Sequence, residues 1–194
     1  MIHRLVLATA NPGKAVEVRA ALPGVEVQTL ADHPSLSSPV EDGATYIDNA
    51  RIKAEALCRA LNIPALADDS GLSVDALNGA PGVLSARYAE GTDKDRNRKL
   101  LAEMADVADE ARTARFVCAM AFIRPEEPAV FTEARCEGVI RRSPLGDGGF
   151  GYDPLFELPD GRSMAQLSTA QKNAISHRGL ALRALLPILK LHFA

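Results

Sequence analysis

Apolar and polar positions follow one another along the chain in a pattern that predicts strands interleaved with helices. Compact apolar runs at residues 4–8 and 116–123 indicate buried strands, and the second is typical of a central strand. Apolar residues alternate with polar ones over residues 25–29, as in a half-buried strand. Residues 64–67 predict a further short strand that runs directly into two acidic residues.

Apolar residues at helical spacing predict four helices between these strands. The clearest covers residues 46–61, with Thr45 as its N-cap. A shorter pattern over residues 14–22 stops at a Pro-Gly pair. The third pattern, at residues 92–108, is that of an amphipathic helix, and the last helix covers residues 175–191.

Turn-forming residues separate the predicted elements. Residues 32–43 are a loop rich in Pro, Ser, Asp and Gly, and residues 143–154 are a glycine-rich loop. Residues 125–128 predict the turn of a hairpin whose return strand covers residues 129–140. Strands alternating with helices, together with one long hairpin, predict a mixed α/β fold. No internal repeat or linker is evident, which indicates a single domain over residues 1–194.

Composition and charge narrow the class of protein. With 194 residues the chain can bury a core without disulfides or metals, and 47% apolar residues exclude a disordered polypeptide. A formal net charge of −3 disfavours nucleic acid as a partner, because bulk binding to phosphates needs a basic surface. No apolar run is long enough to span a membrane. The cysteines Cys58, Cys118 and Cys136 are odd in number and widely spaced, so we expect a cytoplasmic protein rather than a disulfide framework.

The segment Thr9, Ala10, Asn11, Pro12, Gly13 and Lys14 connects the first predicted strand to the first helix, which begins at Lys14. A helix N-terminus carries unpaired N–H groups and favours phosphate, and Lys14 would add a positive charge there. The Walker A pattern G-x-x-x-x-G-K-[ST] is absent. An ordinary turn with a solvated lysine explains the same residues equally well, so both interpretations stay open.

Two adjacent acidic residues, Asp68 and Asp69, follow an apolar run. Carboxylates are costly to bury unless a cation compensates them, and Mg²⁺ binds one or two carboxylates together with substrate phosphate oxygens. The preceding strand favours such a site over a turn formed by the Asp-Ser-Gly sequence. Glu41 offers another carboxylate from the loop before the long helix. Lys53 lies one helical turn beyond Asn49, so both face the same way, although surface placement is the default for such a pair.

The glycine-rich loop matches G-x-G-x-x-G at residues 146–151. Its context excludes a dinucleotide-binding fingerprint, because Pro154 prevents a following helix and the position is late in the chain. The loop carries Phe150 and Tyr152, and an exposed aromatic among glycines can stack on a flat ring. The alternative is that both aromatic side chains fold back into the core.

The last group of candidates, Lys172, His177 and Arg178, lies at the predicted start of the last helix. Cations at a helix N-terminus oppose its dipole, so this arrangement costs stability and indicates an anionic or carbonyl-bearing ligand. A solvated helix cap explains each of these residues taken singly.

With these motifs in this order along the sequence, the chain resembles the inosine triphosphate pyrophosphatase family, which comprises the noncanonical purine NTP pyrophosphatases. The matching blocks cover nearly the whole chain at the family's spacings: LATANPGK at 7–14, EDGATYIDNARIKAEA at 41–56, ADDSGLSVDALNGAPGVLSARY at 67–88, GGFGYDPLF at 148–156 and KNAISHRGLALRAL at 172–185. The resemblance implies an elongated mixed β-sheet with flanking helices and two lobes around a central substrate cleft. It also implies a homodimer that uses Mg²⁺ to hydrolyse ITP, dITP and XTP to the monophosphate and pyrophosphate.

The resemblance further implies a role for each candidate residue. Asp69 would be the general base linked to the metal, with Asp68 and Glu41 helping to hold Mg²⁺. Lys53 would approach the phosphates, and Ser70 would contact the substrate. The other implied substrate contacts are Thr9, Ala10, Asn11, Pro12, Gly13 and Lys14 at the triphosphate, Phe150, Gly151, Tyr152 and Asp153 at the base, and Lys172, His177 and Arg178 at the 6-oxo edge of the purine.

Three other functions remain open. A pyrophosphatase acting on pyrimidine or modified nucleotides is disfavoured by the Ser-His-Arg cluster at residues 176–178. A nucleotide-binding regulator without hydrolytic activity is disfavoured by the intact pair of Asp68 and Asp69 and by Lys14. A nucleic-acid-binding module is disfavoured by the charge balance.

Overall fold

Six strands form the sheet in residues 3–9 and 12–193, which the computed structural model describes apart from the side chains of residues 12–14 and 17. The strands are β1 (His3–Leu7), β2 (Val25–Thr29), β3 (Ala65–Val74), β4 (Thr113–Ile123), β5 (Val130–Ile140) and β6 (Phe156–Glu157). Their order is β2-β1-β3-β4-β5-β6. Strand β1 is parallel to both β2 and β3, whereas β5 and β6 are antiparallel. The predicted mixed α/β fold is therefore confirmed.

Strand β3 differs from its prediction in a way that matters for the site. The sequence predicts a short strand at residues 64–67 that ends at the acidic pair, but the structure has one strand of ten residues. Asp68 and Asp69 lie in its middle, so the alternative of an Asp-Ser-Gly turn is wrong. The buried residues Leu72 and Val74 continue the apolar alternation beyond the acidic pair, so both carboxylates lie within a continuous strand.

Five helices accompany the strands in the described part of the chain: α1 (Pro12–Ala21), α2 (Tyr46–Leu61), α3 (Asp93–Glu103), α4 (Thr169–Ile175) and α5 (His177–His192). Helix α2 has the predicted bounds. The Thr45 side chain accepts a hydrogen bond from the N–H of Asp48, and Asn62 closes the helix in the left-handed conformation. Its ends are therefore set by local capping.

The other three predicted helices have different bounds, and α1 begins at Pro12 and ends at Ala21 instead of covering residues 14–22. Helix α3 ends at Glu103 instead of residue 108, because the Arg112 guanidinium binds the carbonyl oxygens of Met104 and Val107 at 2.7 and 3.3 Å. The last predicted helix, at residues 175–191, is α5 and begins at His177, because Ser176 adopts an extended conformation that separates it from α4, a helix the sequence did not predict. The Ser176 hydroxyl accepts a hydrogen bond from the N–H of Gly179 at 3.2 Å and so caps α5.

The chain divides into two compact units, each with its own core. The first comprises Met1–Asp69, Ala119–Glu133 and Ala181–Ala194, and the second comprises Ser70–Cys118 and Ala134–Leu180. In the first, the small apolar face of α2 packs against buried residues of β1, β3 and β4. In the second, residues of α3, β4 and β5 pack around two buried phenylalanines. The chain passes from the first unit to the second within β3, at the peptide bond after Asp69.

Two further structural facts concern the expected environment of the protein. None of the described helices combines the length and apolarity needed to cross a membrane. The three cysteines are buried and free of disulfides.

Candidate active site

A cluster of polar side chains lies where α2 and β3 meet in the first unit. Asn49 donates its side-chain N–H to Oδ2 of Asp69 at 3.1 Å. The Lys53 ammonium nitrogen lies 3.6 Å from Oδ1 of Asp69 and donates to Oε2 of Glu41 at 3.0 Å. The side chains of Lys53 and Asp69 are only 14% and 13% exposed, so water screens their attraction weakly. The structure therefore brings the predicted residues Glu41 and Asp69 together at the ammonium group of Lys53, which was also predicted.

Asn49 has a larger role in this cluster than the sequence indicates. It is almost fully buried, and its Oδ1 accepts a hydrogen bond from the N–H of Gly43 at 2.8 Å. A Cβ at Gly43 would overlap Asp48 and Asn49, so only glycine allows this close approach. The amide of Asn49 thereby links the loop that carries Glu41 to the carboxylate of Asp69. The helical spacing of Asn49 and Lys53 was the only signal for this in the sequence.

The donor set of this cluster suits a hard divalent cation. Glu41 and Asp69 supply carboxylate oxygens beside Lys53, and the half-buried Asp68 adjoins Asp69 in β3. Within residues 3–9 and 12–193, no three His, Cys, Asp or Glu side chains are grouped closely enough to hold a metal alone. Mg²⁺ commonly takes one or two carboxylates and completes its shell with water and substrate phosphate oxygens. The residues therefore fit Mg²⁺ delivered with a phosphorylated substrate.

The predicted phosphate-binding segment is only partly described. Thr9 is 8% exposed in the loop after β1, and its N–H donates to the carbonyl oxygen of Leu7 at 2.8 Å. Pro12 begins α1, the position where proline is favoured because its missing N–H would be unpaired in any case. Ala10, Asn11 and the side chain of Lys14 lie outside the described residues. The predicted order of strand, loop and helix N-terminus is confirmed.

A cavity of about 230 Å³ lies in the second unit and collects most of the remaining candidates. Sites for whole drug-sized ligands are larger, roughly 300–1,000 Å³, so this cavity suits a single ring system. Its walls include the predicted residues Ser70, Phe150, Gly151, Tyr152, Asp153, Lys172, His177 and Arg178.

Phe150 and Tyr152 are equivalent candidates in the sequence but differ in their exposure in the structure. The Phe150 side chain is 57% exposed, whereas Tyr152 is 5% exposed and its hydroxyl donates to the carbonyl oxygen of Ser85 at 2.9 Å. Burial raises the pKa of Tyr152, so its hydroxyl stays protonated and keeps donating. Only Phe150 is therefore available to stack on a ligand ring, and the alternative in which both aromatics fold inward is wrong.

Cationic side chains surround the exposed ring. The Lys172 ammonium nitrogen lies 4.4 Å from the centre of the Phe150 ring and pairs with Asp153. The Arg178 guanidinium lies 5.8 Å from the same centre and donates to the hydroxyl of Ser70 at 3.1 Å. Such cations are attracted to the face of an aromatic ring. The cavity thus presents several N–H donors beside a flat apolar surface.

His177 forms part of the cavity wall at the first residue of α5. It is 7% exposed and its ring is stacked on Phe116, with 5.0 Å between ring centres and 17° between planes. Phe116 lies in β4 and was predicted only as a core residue. The stacking fixes the plane of the imidazole.

Three residues of the cavity region lie on α3, where the sequence pattern indicates only an apolar face that packs on the core. Asp93 and Arg96 in α3 line the cavity, and Asn97 on the same helix bonds to Gly151. The cavity also needs Gly71, where a Cβ would overlap Ser85. No sequence signal links α3 to a loop more than fifty residues away.

Comparison with known proteins gives consistent results over nearly the whole chain. The model of the Ham1 family matches residues 5–188. The dITP/XTP pyrophosphatase of Geobacillus kaustophilus is 52% identical over 190 residues, which cover 95% of this chain and 93% of that protein. The solved structure of the Staphylococcus aureus Ham1 protein has a TM-score of 0.92 at 37% identity, covering 97% of this chain and 99% of that one. A nucleoside-triphosphatase / dITP/XTP pyrophosphatase from Mycobacterium abscessus has a TM-score of 0.82 at 45% identity, covering 95% and 99%.

Proposed function

The chain belongs to the Ham1 family, and on this premise we propose that it hydrolyses the noncanonical purine nucleotides ITP, dITP and XTP to the monophosphate and pyrophosphate. This activity removes such nucleotides before they are incorporated into DNA and RNA. Relatives that carry the name dITP/XTP pyrophosphatase support the proposal, as does the resemblance seen in the sequence. The structural observation that carries it is the exposed ring of Phe150 among cationic donors.

The second unit is the proposed binding site of the base. Phe150 stacks on the purine, and Lys172, His177 and Arg178 direct hydrogen-bond donors at the oxygen on carbon 6. Adenine carries an amino group at this position, so its binding would leave buried donors unpaired. Mismatches of this kind discriminate strongly between substrates. Asp153 supports the site through its contacts with Lys172 and with the N–H of Phe150.

The first unit is the proposed binding site of the triphosphate. The segment from Thr9 to Lys14 cradles the phosphates at the start of α1, and Lys53 adds a cation from α2. The carboxylates of Glu41, Asp68 and Asp69 would hold Mg²⁺, which when bound neutralises the charge that develops on the leaving pyrophosphate. The proposed base and phosphate sites adjoin in sequence at Asp69 and Ser70.

Asp69 is the proposed general base. Its carboxylate accepts a proton from a water molecule whose oxygen bonds to the α-phosphorus, while the bond from that phosphorus to the bridging oxygen breaks and pyrophosphate leaves. Asn49 and Lys53 each contact one oxygen of this carboxylate and so fix its orientation. Pre-set orientation of this kind lowers the barrier without any change in the chemistry.

We further propose that residues 1–194 act as one domain and that the protein is a homodimer of the cytoplasm, with no nucleic acid or membrane as partner. The dimer follows from the family resemblance. The three buried, free cysteines suit a reducing compartment, and the net charge of −3 suits a protein that acts on free nucleotides.

Pyrophosphate release from ITP, dITP, XTP, GTP, ATP and a set of pyrimidine triphosphates, with and without Mg²⁺, tests the proposed function. We expect rapid Mg²⁺-dependent release from ITP, dITP and XTP and nearly none from ATP. Guanine also carries an oxygen on carbon 6, so the expectation of little release from GTP rests on the family resemblance and not on the contacts at that oxygen. Release from pyrimidine nucleotides alone would identify the related pyrimidine enzyme. Nucleotide binding without any release, in folded protein, would identify a regulator without hydrolytic activity.

A further inference from the structure

The backbone around Phe150 is held in place, although the ring itself is exposed. The N–H of Phe150 donates to Oδ2 of Asp153 at 2.8 Å, and its carbonyl oxygen accepts from the N–H of Asp153 at 3.2 Å. Asp153 is buried and paired with Lys172. These bonds fix one side of the loop, and they belong to residues already assigned to the site.

The other side of the loop is held by α3. The N–H of Gly151 donates to Oδ2 of Asp93 at 2.6 Å, and its carbonyl oxygen accepts from the side-chain amide of Asn97 at 3.0 Å. Asp93 and Asn97 are one helical turn apart and therefore share a face of α3. Both hydrogen-bonding groups of the residue next to Phe150 are thus bound by one rigid element.

Burial and charge strengthen these two hydrogen bonds. Asn97 is 9% exposed, so its bond to the Gly151 carbonyl is shielded from competing water. The Gly151 N–H and the Arg96 guanidinium both bind the Asp93 carboxylate and lower its pKa, which keeps it ionised at neutral pH. Hydrogen bonds to an ionised carboxylate are stronger than neutral ones. Gly151 has a φ of +61°, which a glycine adopts readily, so these bonds need no strained residue.

We propose that Asp93 and Asn97 are positioning residues that hold the Phe150 ring in the orientation for stacking on the purine, with Arg96 orienting Asp93. The inference rests on the proposed function only in taking a purine as the ligand ring that stacks on Phe150. A preorganised ring loses little freedom when the substrate binds, and this is how rigid loops gain affinity. The interactions lie within the second unit and do not involve the cluster around Asp69.

Loss of this positioning should affect binding more than chemistry. Stacking of a base on an aromatic side chain contributes about tenfold or more to affinity. The contribution is the same before and during the reaction, so its loss raises KM and leaves kcat nearly unchanged. A general loss of folded protein would instead lower kcat and leave KM unchanged.

The variant Asn97→Asp tests the proposal, because it replaces the amide donor by a carboxylate oxygen of the same size that repels the Gly151 carbonyl. Arg98→Gln is the matched control: it lies on the same helix, changes the charge by the same amount, and its side chain is 79% exposed. The natural chain contains no tryptophan. Phe150→Trp therefore places a single fluorophore at the stacking position, and its anisotropy reports the motion of that side chain without any nucleotide.

We expect Asn97→Asp to lower the anisotropy of the introduced tryptophan and, in the chain with Phe150, to raise KM for ITP roughly tenfold with kcat within about twofold. Arg98→Gln should change neither quantity. In a Phe150→Ala background Asn97→Asp should raise KM no further, because the ring through which it acts is gone. An equal rise in that background, or unchanged anisotropy and KM, would overturn the proposal.

A second variant keeps the test decisive if Asn97→Asp does not fold. Asp93→Asn retains an oxygen that can accept from Gly151 but loses the charge and the pair with Arg96, so we expect a smaller shift in the same direction. No loss of anisotropy in Asp93→Asn would equally refute the proposal. The anisotropy measurement needs no turnover, so an enzyme that releases no pyrophosphate from any purine would contradict the proposed function without touching this result.

Discussion

The ammonium nitrogen of Lys53 lies 3.6 Å from Oδ1 of Asp69, with both side chains largely buried. The same nitrogen binds Glu41, and Asn49 binds the second oxygen of Asp69. Two residues one turn apart on α2 therefore control both oxygens of a carboxylate on β3. The orientation of the proposed base depends on a helix that is itself fixed by strong local caps.

Replacing the proposed base should abolish most turnover without loss of binding. Asp69→Asn keeps the size of the side chain but cannot accept the proton from water, so we expect kcat to fall about 10²–10⁴-fold. Pyrophosphate release measures turnover, and calorimetry with ITP measures affinity. Asp42→Asn, the same change at an exposed position of the loop before α2, is the control. Full turnover in Asp69→Asn would refute the assignment of the base.

Removing the charge of Lys53 should impair the reaction by a different route. Lys53→Met leaves Glu41 and Asp69 without the cation between them and removes a charge proposed to face the phosphates. We expect kcat/KM for ITP to fall about 10²-fold, as when other electrostatic stabilisers are removed. Lys53→Arg retains the charge and should lose less. Steady-state kinetics with both variants checks this, and a change of less than threefold in Lys53→Met would contradict it.

A methyl group at Gly149 should disturb the base site. Gly149 has a φ of +73°, and a Cβ there would overlap Oδ2 of Asp153, the atom that holds the Phe150 N–H and Lys172. We expect Gly149→Ala to raise KM for ITP about tenfold through loss of stacking. Gly161→Ala is the control, since its φ is +83° and open space surrounds the added carbon. Equal KM values in the two variants would show that the overlap with Asp153 has no consequence.

The stabilising effect of Asp93 should disappear in acid. Its bonds with the Gly151 N–H and Arg96 lower its pKa in the folded protein below the ordinary value of 3.8. A carboxyl with a lowered pKa stabilises the fold above its ordinary pKa, and the stabilisation is lost as the pH falls through the folded value. The difference in unfolding free energy between the natural chain and Asp93→Asn should be constant above about pH 5 and shrink below about pH 4. Urea titrations across this range measure it, and a constant difference down to the lowest pH would be the contrary result.

Arg112 should matter for stability and not for catalysis. It is 3% exposed, and its guanidinium donates to the carbonyl oxygens of Met104, Ile140 and Arg141 at 2.7, 2.7 and 3.2 Å. Arg112→Met removes the donor to all three carbonyls, of which Met104 still accepts from the N–H of Val107 at 3.2 Å, so we expect a loss of about 3 kcal/mol in unfolding free energy. Arg142→Met, at a side chain that is 55% exposed, should cost less than about 1 kcal/mol. Urea unfolding compares the two, and equal losses would contradict the role of the buried guanidinium.

Elements with local determinants could be predicted from the sequence. Helix α2 has its predicted bounds because Thr45 and Asn62 cap it through bonds within the helix ends. The buried strand β4 was evident because an uninterrupted apolar run needs burial on both faces. Helix α3 was predicted too long, because the side chain that ends it, Arg112, comes from outside the helix.

Local sequence also supplied the candidate residues, but it left their arrangement open. Residue type and motif identify Glu41, Lys53 and Asp69 as candidates. The contacts of Glu41 and Asp69 with the Lys53 ammonium depend on the packing of α2 against β3. In the sequence, the only signal for Asn49 is its helical spacing from Lys53. Its bridge between Gly43 and Asp69 requires that both elements be in place.

The sequence by itself determined the mixed α/β fold, the family and many residues of the candidate site, because these follow from local periodicity and from motifs. Only the tertiary structure decided that Phe150 is exposed while Tyr152 is buried, since the partner of Tyr152, Ser85, is 67 residues away. It likewise decided that α3 binds the loop through Gly151, 58 residues from Asp93. Hydrogen bonds between such distant residues form only when packing brings them together, and no local pattern encodes them.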